Sequence, residues 1–161
     1  MKKTVLFLLI LFFDFSTKYW VASHLPLMQL YQGFPFDGIG ILDTTLLKIS
    51  IVHTTNTGTA WGFLANFQGL LLGVRILITG IIIGYLILKK PTKRLAIPLT
   101  CIAAGAIGNI VDFFLYGHVI DMIYLIFYKY SYPIFNLADS AIFLSVLYLL
   151  LVPKKRLRHA S

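Results

Sequence analysis

KKPTKRLAIPLTCIAAGAIGNIVDFFLYGHVID, residues 89–121, joins a basic cluster, a long apolar run and two aspartates in one stretch. From Leu95 to Tyr116 the run is long enough to cross a bilayer, which takes about 20 residues of helix. Lys89, Lys90, Lys93 and Arg94 mark its cytoplasmic end by the positive-inside rule. Asp112 then falls near the far end of the span, and Asp121 lies just beyond its exit. Pro98 fits the first turn of such a helix, where a missing N–H costs little. An acid kept beside or inside hydrocarbon is expensive and is by default a functional hypothesis.

The same grammar recurs along the 161 residues, of which 58% are hydrophobic, far above a soluble domain. Further spans are expected at Thr4 to Ala22, Gly69 to Leu88 and Leu137 to Val152, giving four in a single integral membrane domain, 1–161. Ten of the 14 basic residues fall in three clusters, at 2–3, 89–94 and 154–158. All three flank apolar runs, so the net charge of +8 reflects topology and not nucleic-acid binding. Both termini are then cytoplasmic, and segments 24–68 and 117–136 face outward. The opening MKK resembles a secretory signal, but Asp14 and Lys18 interrupt the run and no A-x-A-like site follows, so a retained span is expected. The lone Cys101 excludes an internal disulfide and a thiolate metal cluster.

The outer segments carry their own patterns. In LLKISIVHT, Leu47, Ile49 and Ile51 alternate with Lys48, Ser50 and Val52, the mark of a half-buried strand. Gly33, Pro35, Gly38 and Gly40 supply turns before it. A small sheet at the outer interface is expected. DMIYLIFYKYSYP clusters Tyr124, Tyr128, Tyr130 and Tyr132 with Phe127, fitting an element at headgroup depth. Gly69, Gly73, Gly80 and Gly84 give the second span two GxxxG spacings, read as plain helix packing.

The chain has no Glu, and its six acids are all Asp. Asp139 stands in the first turn of the fourth span, about 3–5 Å below the outer surface by helical rise. Asp121 and Asp139 can therefore meet at the outer membrane boundary. Two carboxylates sharing a site do not both ionise easily. One can then take a proton from water while the other donates to a substrate carbonyl, without metal or covalent nucleophile. The plainer role is helix capping, since Asn136 is a good N-cap and an acid in the first turn is favourable. Other chemistries fit less well. HExxH needs a Glu, Cys101 and His118 are about 26 Å apart if helical, and Ser16 and Lys18 point to different helix faces. Asp14 and Lys18, at i and i+4, can pair as a clasp inside the membrane.

In order, DFSTK (14–18), HTTNTGTAWG (53–62), AGAIGNIVDF (104–113), GHVIDM (117–122) and PIFNLADSA (133–141) closely resemble the lipoprotein signal peptidases, or signal peptidase II. The resemblance covers essentially the whole chain. It implies an all-α membrane fold of four transmembrane helices, N-in/C-in, with a small outer β-sheet cradle and a short interfacial outer helix. It implies an aspartic endopeptidase of the bacterial inner membrane, without metal or cofactor. The enzyme would remove signal peptides from diacylglyceryl-modified prolipoproteins at the outer face, as a monomer among membrane lipid. The family's catalytic aspartates fall on Asp121 and Asp139. Asn56, Gly58, Asn109, Asp112 and Asn136 fall on its substrate-holding and site-shaping positions, with Asp14 and Lys18 in support. This chain departs from the usual pattern at Phe113, commonly Arg, with Arg75 as a speculative substitute. It departs also at Phe15 (commonly Gln), Ala104 (commonly Gly) and Met122 (commonly Phe). Outside that family, two rivals stand. One is a transporter or ion-pathway subunit using Asp14, Lys18 and Asp112; the other is a scaffold held by glycine contacts. Transporter sites lie near the midplane, whereas three of the four membrane-associated acids here gather at the outer edge. The GxGD motif of presenilin-type proteases is absent.

Overall fold

The computed structural model of the chain describes residues 2–29, 31–57 and 67–152. Four helices follow the apolar runs to within a few residues: α1 (Lys2–His24), α2 (Gln68–Leu88), α3 (Lys93–Tyr116) and α4 (Leu137–Leu151). The first three are long and apolar enough to cross a membrane. At 15 residues α4 is apolar but shorter than the usual crossing of about 20. Leu8 and Phe12 of α1, Leu77 and Ile81 of α2, and Leu144 and Leu150 of α4 are exposed. Such broad apolar exposure suits hydrocarbon, not water.

Two compact units divide the chain: Met1–Asp14, Gly69–Val111 and Leu137–Ser161 in one, Phe15–Gln68 and Asp112–Asn136 in the other. In the helical unit, α3 and α4 approach closely because α3 presents small residues. A Cβ on Gly105 would sit 2.5 Å from the Ala138 carbonyl oxygen and 2.9 Å from Ile142 Cγ1. Ala103, Ala104 and Ala138 are buried around that contact. The glycines of α2 behave differently. A Cβ on Gly69, Gly73, Gly80 or Gly84 would meet nothing within 4 Å among the described residues, so none of those residues packs closely on the GxxxG face.

The other unit is built on a four-stranded antiparallel sheet in the order β1 (Ile39–Asp43), β2 (Leu47–Asn56), β3 (Val119–Phe127) and β4 (Tyr130–Ser131). Gly117 ends α3 at φ 74°, its N–H donating to the Phe113 carbonyl at 2.9 Å. This left-handed cap turns the chain out of the helix and straight into β3. Val21 of α1 packs with Ile120 and Met122 of β3 to form the core of the unit.

Three expectations change. DMIYLIF is strand, because its β-branched and aromatic residues pair along β2. The short outer helix is not found among the described residues of 24–68 or 117–136. The deepest positions of β2 are Ser50 and Val52, not the apolar set Leu47, Ile49 and Ile51. Both faces of the strand are covered, which hides the simple alternation.

Candidate active site

A β-bulge decides the geometry around Asp121. Ile51 pairs with Ile123 and Thr54 with Asp121, so Val52 and His53 together oppose Met122. Unbroken alternation would place Asn56 on the face of Lys48, Ser50 and Val52. The extra residue resets the parity, and Thr54 and Asn56 join the face that carries Asp121 and Ile123. The bulge is itself pinned. The His53 ring donates from Nδ1 to the Leu25 carbonyl (3.0 Å), and its own carbonyl accepts from Met28 N (2.8 Å).

Asp121 is 2% exposed and bound at both oxygens. Asn56 Nδ2 donates to Oδ2 at 2.9 Å. Asn136 Nδ2 donates to Oδ1 at 2.8 Å, and also reaches the Ile120 carbonyl at 3.3 Å. Two N–H donors, one on each oxygen, fix the plane of the carboxylate. Asn136 arrives there because Phe135 pairs back onto Ile123, its N–H and carbonyl both bonded to that residue's backbone. Chain continuity then sets Asp139 three residues further on, in the first turn of α4.

Asp139 is half-buried, and its Oδ1 accepts from Asn109 Nδ2 of α3 at 2.8 Å. The close α3–α4 approach at Gly105 brings these two together. Asp14 is fully buried, with Oδ1 accepting from the backbone N–H of Ala138 at 2.9 Å. This carboxylate from α1 thus satisfies a donor at the start of α4, where negative charge is favourable. Gly108 leaves it room, since a Cβ there would come within 2.6 Å of Asp14 Oδ2.

Lys18 and Asp112 form a buried charge pair, at 2.8 Å and 2%/1% side-chain exposure. Asp112 Oδ2 also accepts from the Ile120 N–H at 3.4 Å. Asp112 therefore ties the exit of α3 to α1 and to the residue before Asp121. Spacing along α1 alone pointed Lys18 toward Asp14; its partner on α3 was visible only in three dimensions. Gly58 lies outside the described residues. Phe113 is half-buried in α3, and Arg75 half-buried in α2. Among the described residues, no three of His, Cys and Asp converge as metal ligands would.

Sequence reasoning located the carboxylates but missed the bulge and the backbone contacts of Ala138 and Ile120. A β-branched and polar run such as VHTTN gives no parity signal of its own, so the reset could not be read from it.

The family model described as signal peptidase (SPase) II matches residues 6–153. Similar curated proteins named lipoprotein signal peptidase include one from Syntrophus aciditrophicus, 37% identical over 159 residues, covering 92% of this chain and 91% of that protein. Another, from Bacillus subtilis, is 36% identical over 146 residues, with coverages of 88% and 86%. Among solved structures, one of a bacterial membrane enzyme superposes with a TM-score of 0.74 at 25% identity, covering 93% of this chain and 85% of that one.

Proposed function

The chain belongs to the signal peptidase II family, and from that membership we propose an aspartic endopeptidase in which Asp121 and Asp139 act as one catalytic pair. It is a multi-pass bacterial membrane hydrolase. The observation that carries the catalytic reading is Asp121 itself, a buried carboxylate whose two oxygens are each oriented by an asparagine. A carboxylate so fixed is prepared to take a proton from water, while the proton shared with Asp139 is given to the scissile carbonyl. Asn109 orients Asp139. Asn56 and Asn136 position Asp121, and Asp14, Lys18 and Asp112 hold the helix ends that carry the site. Gly58 is assigned to substrate contact through the family motif alone.

The substrates are bacterial prolipoproteins carrying a diacylglyceryl group, which enter laterally from the bilayer. Both termini lie in the cytoplasm and the carboxylates at the periplasmic face of the inner membrane, a placement supported by the three basic clusters. The chain works as a monomer. Purified in detergent with a diacylglyceryl-modified lipobox peptide, Asp121→Asn and Asp139→Asn should each lose cleavage by at least about a thousandfold while remaining folded. Normal turnover by either variant would remove that residue from the pair.

A further inference from the structure

The bulge in β2 delivers two polar side chains to the face of Asp121, and of these Asn56 bonds to the carboxylate directly. Thr54 is the nearer of the two along the ladder. It stands directly opposite Asp121, where paired Cβ atoms are about 4.5–5.5 Å apart. Asn56 stands opposite Val119 and reaches Asp121 along a diagonal of roughly 7–8 Å. Its longer side chain spans that gap. The Thr54 hydroxyl makes no hydrogen bond to another described residue.

Thr54 is half-buried, whereas Thr55, on the other face, is exposed and has bulk water for its hydroxyl. Taking a hydroxyl out of water costs free energy unless something bonds it. Valine would give the strand the same β-branched shape without that cost. The hydroxyl is therefore the part that calls for a partner, and the carboxylate beside it points to one. An ionised carboxylate can accept about four hydrogen bonds. The two asparagine donors thus leave Asp121 able to accept from water as well. A water that donates to Asp121 carries a second O–H. With the Cβ atoms so close, Thr54 Oγ1 lies about one water's span from the carboxylate and can accept that second bond.

We propose that Thr54 is a positioning residue for the attacking water, whose two O–H bonds point to Asp121 and to Thr54 Oγ1. The inference rests on Asp121 acting as the base. Two anchors fix the orientation of the water and turn a lone pair away from both, toward the scissile carbonyl carbon. In the step itself the water gives one proton to Asp121 as its oxygen bonds to that carbon. The C=O π bond opens, and the carbonyl oxygen takes the proton that Asp139 donates, giving a neutral gem-diol. Thr54 neither gains nor loses a proton. It holds the remaining O–H of the former water while the gem-diol forms.

The test is steady-state cleavage of the lipobox peptide by wild type, Thr54→Val, Thr54→Ser and Asp121→Asn, with thermal unfolding as the check on folding. Thr54→Val should lower kcat by about tenfold, the worth of one hydrogen bond, with KM changed by less than about twofold. Thr54→Ser keeps the hydroxyl and loses only the methyl, and should recover most of that loss. The pH profile of Thr54→Val should keep both apparent pKa values, since the water and not the carboxylate has lost a partner. A shift of the acid limb to higher pH would mean that the hydroxyl bonds Asp121 itself, and overturns the proposal. So does full activity in Thr54→Val, a raised KM at unchanged kcat, or a serine variant as slow as the valine one. Normal cleavage by Asp121→Asn removes the base and the inference with it. An inactive Asp121→Asn beside an unimpaired Thr54→Val removes the inference alone.

Discussion

At the scale of single residues, asparagine amides from three different segments of the chain orient the carboxylates of Asp121 and Asp139. Asn136 is the most demanding of them, since its one amide nitrogen serves both Asp121 and the Ile120 carbonyl with no exposure to solvent. Asn136→Ala should cost about 1–3 kcal/mol of stability, and more than tenfold in cleavage, because a buried carboxylate loses a donor. Thermal unfolding in detergent and peptide turnover separate the two effects. Lys18 and Asp112 give a second test. Lys18→Met alone leaves a buried unpaired carboxylate and should destabilise by about 3–5 kcal/mol. Adding Asp112→Asn should recover much of that loss, and a double variant no more stable than Lys18→Met would remove the pair from the stability account. The sequence made these acids conspicuous because acids are scarce and lie beside apolar runs. It could not show that Asp112, not Asp14 alone, answers Lys18, since helical spacing reports only neighbours on the same helix.

At the scale of elements, helix positions were the most legible part of the fold. Apolar runs bounded by Lys, Arg, Pro and Gly placed all four helices, because hydrocarbon tolerates little else. Strands were less legible. LLKISIVHT announced β2, but not that the ladder is reset at Val52 and His53. The aromatic cluster of DMIYLIFYKYSYP points to an element at headgroup depth but not to a strand, because the pairing partner of DMIYLIF lies far away in sequence. The reset yields a contrast between two deletions. Removing Thr55 moves Asn56 to the slot opposite Ile120, on the far face of the ladder. Cleavage should then fall on the order of a hundredfold, as for a displaced catalytic group. Removing His53 takes out the bulge but leaves Thr54 and Asn56 in register with Asp121, so its effect on turnover should be smaller. Steady-state kinetics on the two proteins decide the matter, and an equal loss in both would count against the parity argument.

At the scale of the whole molecule, the proposed pair sets a pH signature. Below the lower apparent pKa both carboxyls are protonated and no base remains; above the upper one both are ionised and no acid remains. The plot of kcat/KM against pH for the lipobox peptide should therefore be bell-shaped, with values that belong to the pair and not to either residue. A flat profile from acid to neutral pH would argue against a shared proton. A different consequence follows from the bond between Asp14 and the N–H of Ala138, which joins positions 124 residues apart in sequence. During synthesis α1 is made first, and α4 long afterwards. For that interval the carboxylate of Asp14 has no helix start to serve, and Lys18 has no Asp112. In a lone α1 the two stand one turn apart and can neutralise each other, which lowers the cost of lodging both in the bilayer. Later arrivals then add their own contacts one at a time, Asp112 to the lysine and afterwards Ala138 to the aspartate. The newborn first helix thus carries its own counterion, and each buried charge has a partner before the rest of the site exists.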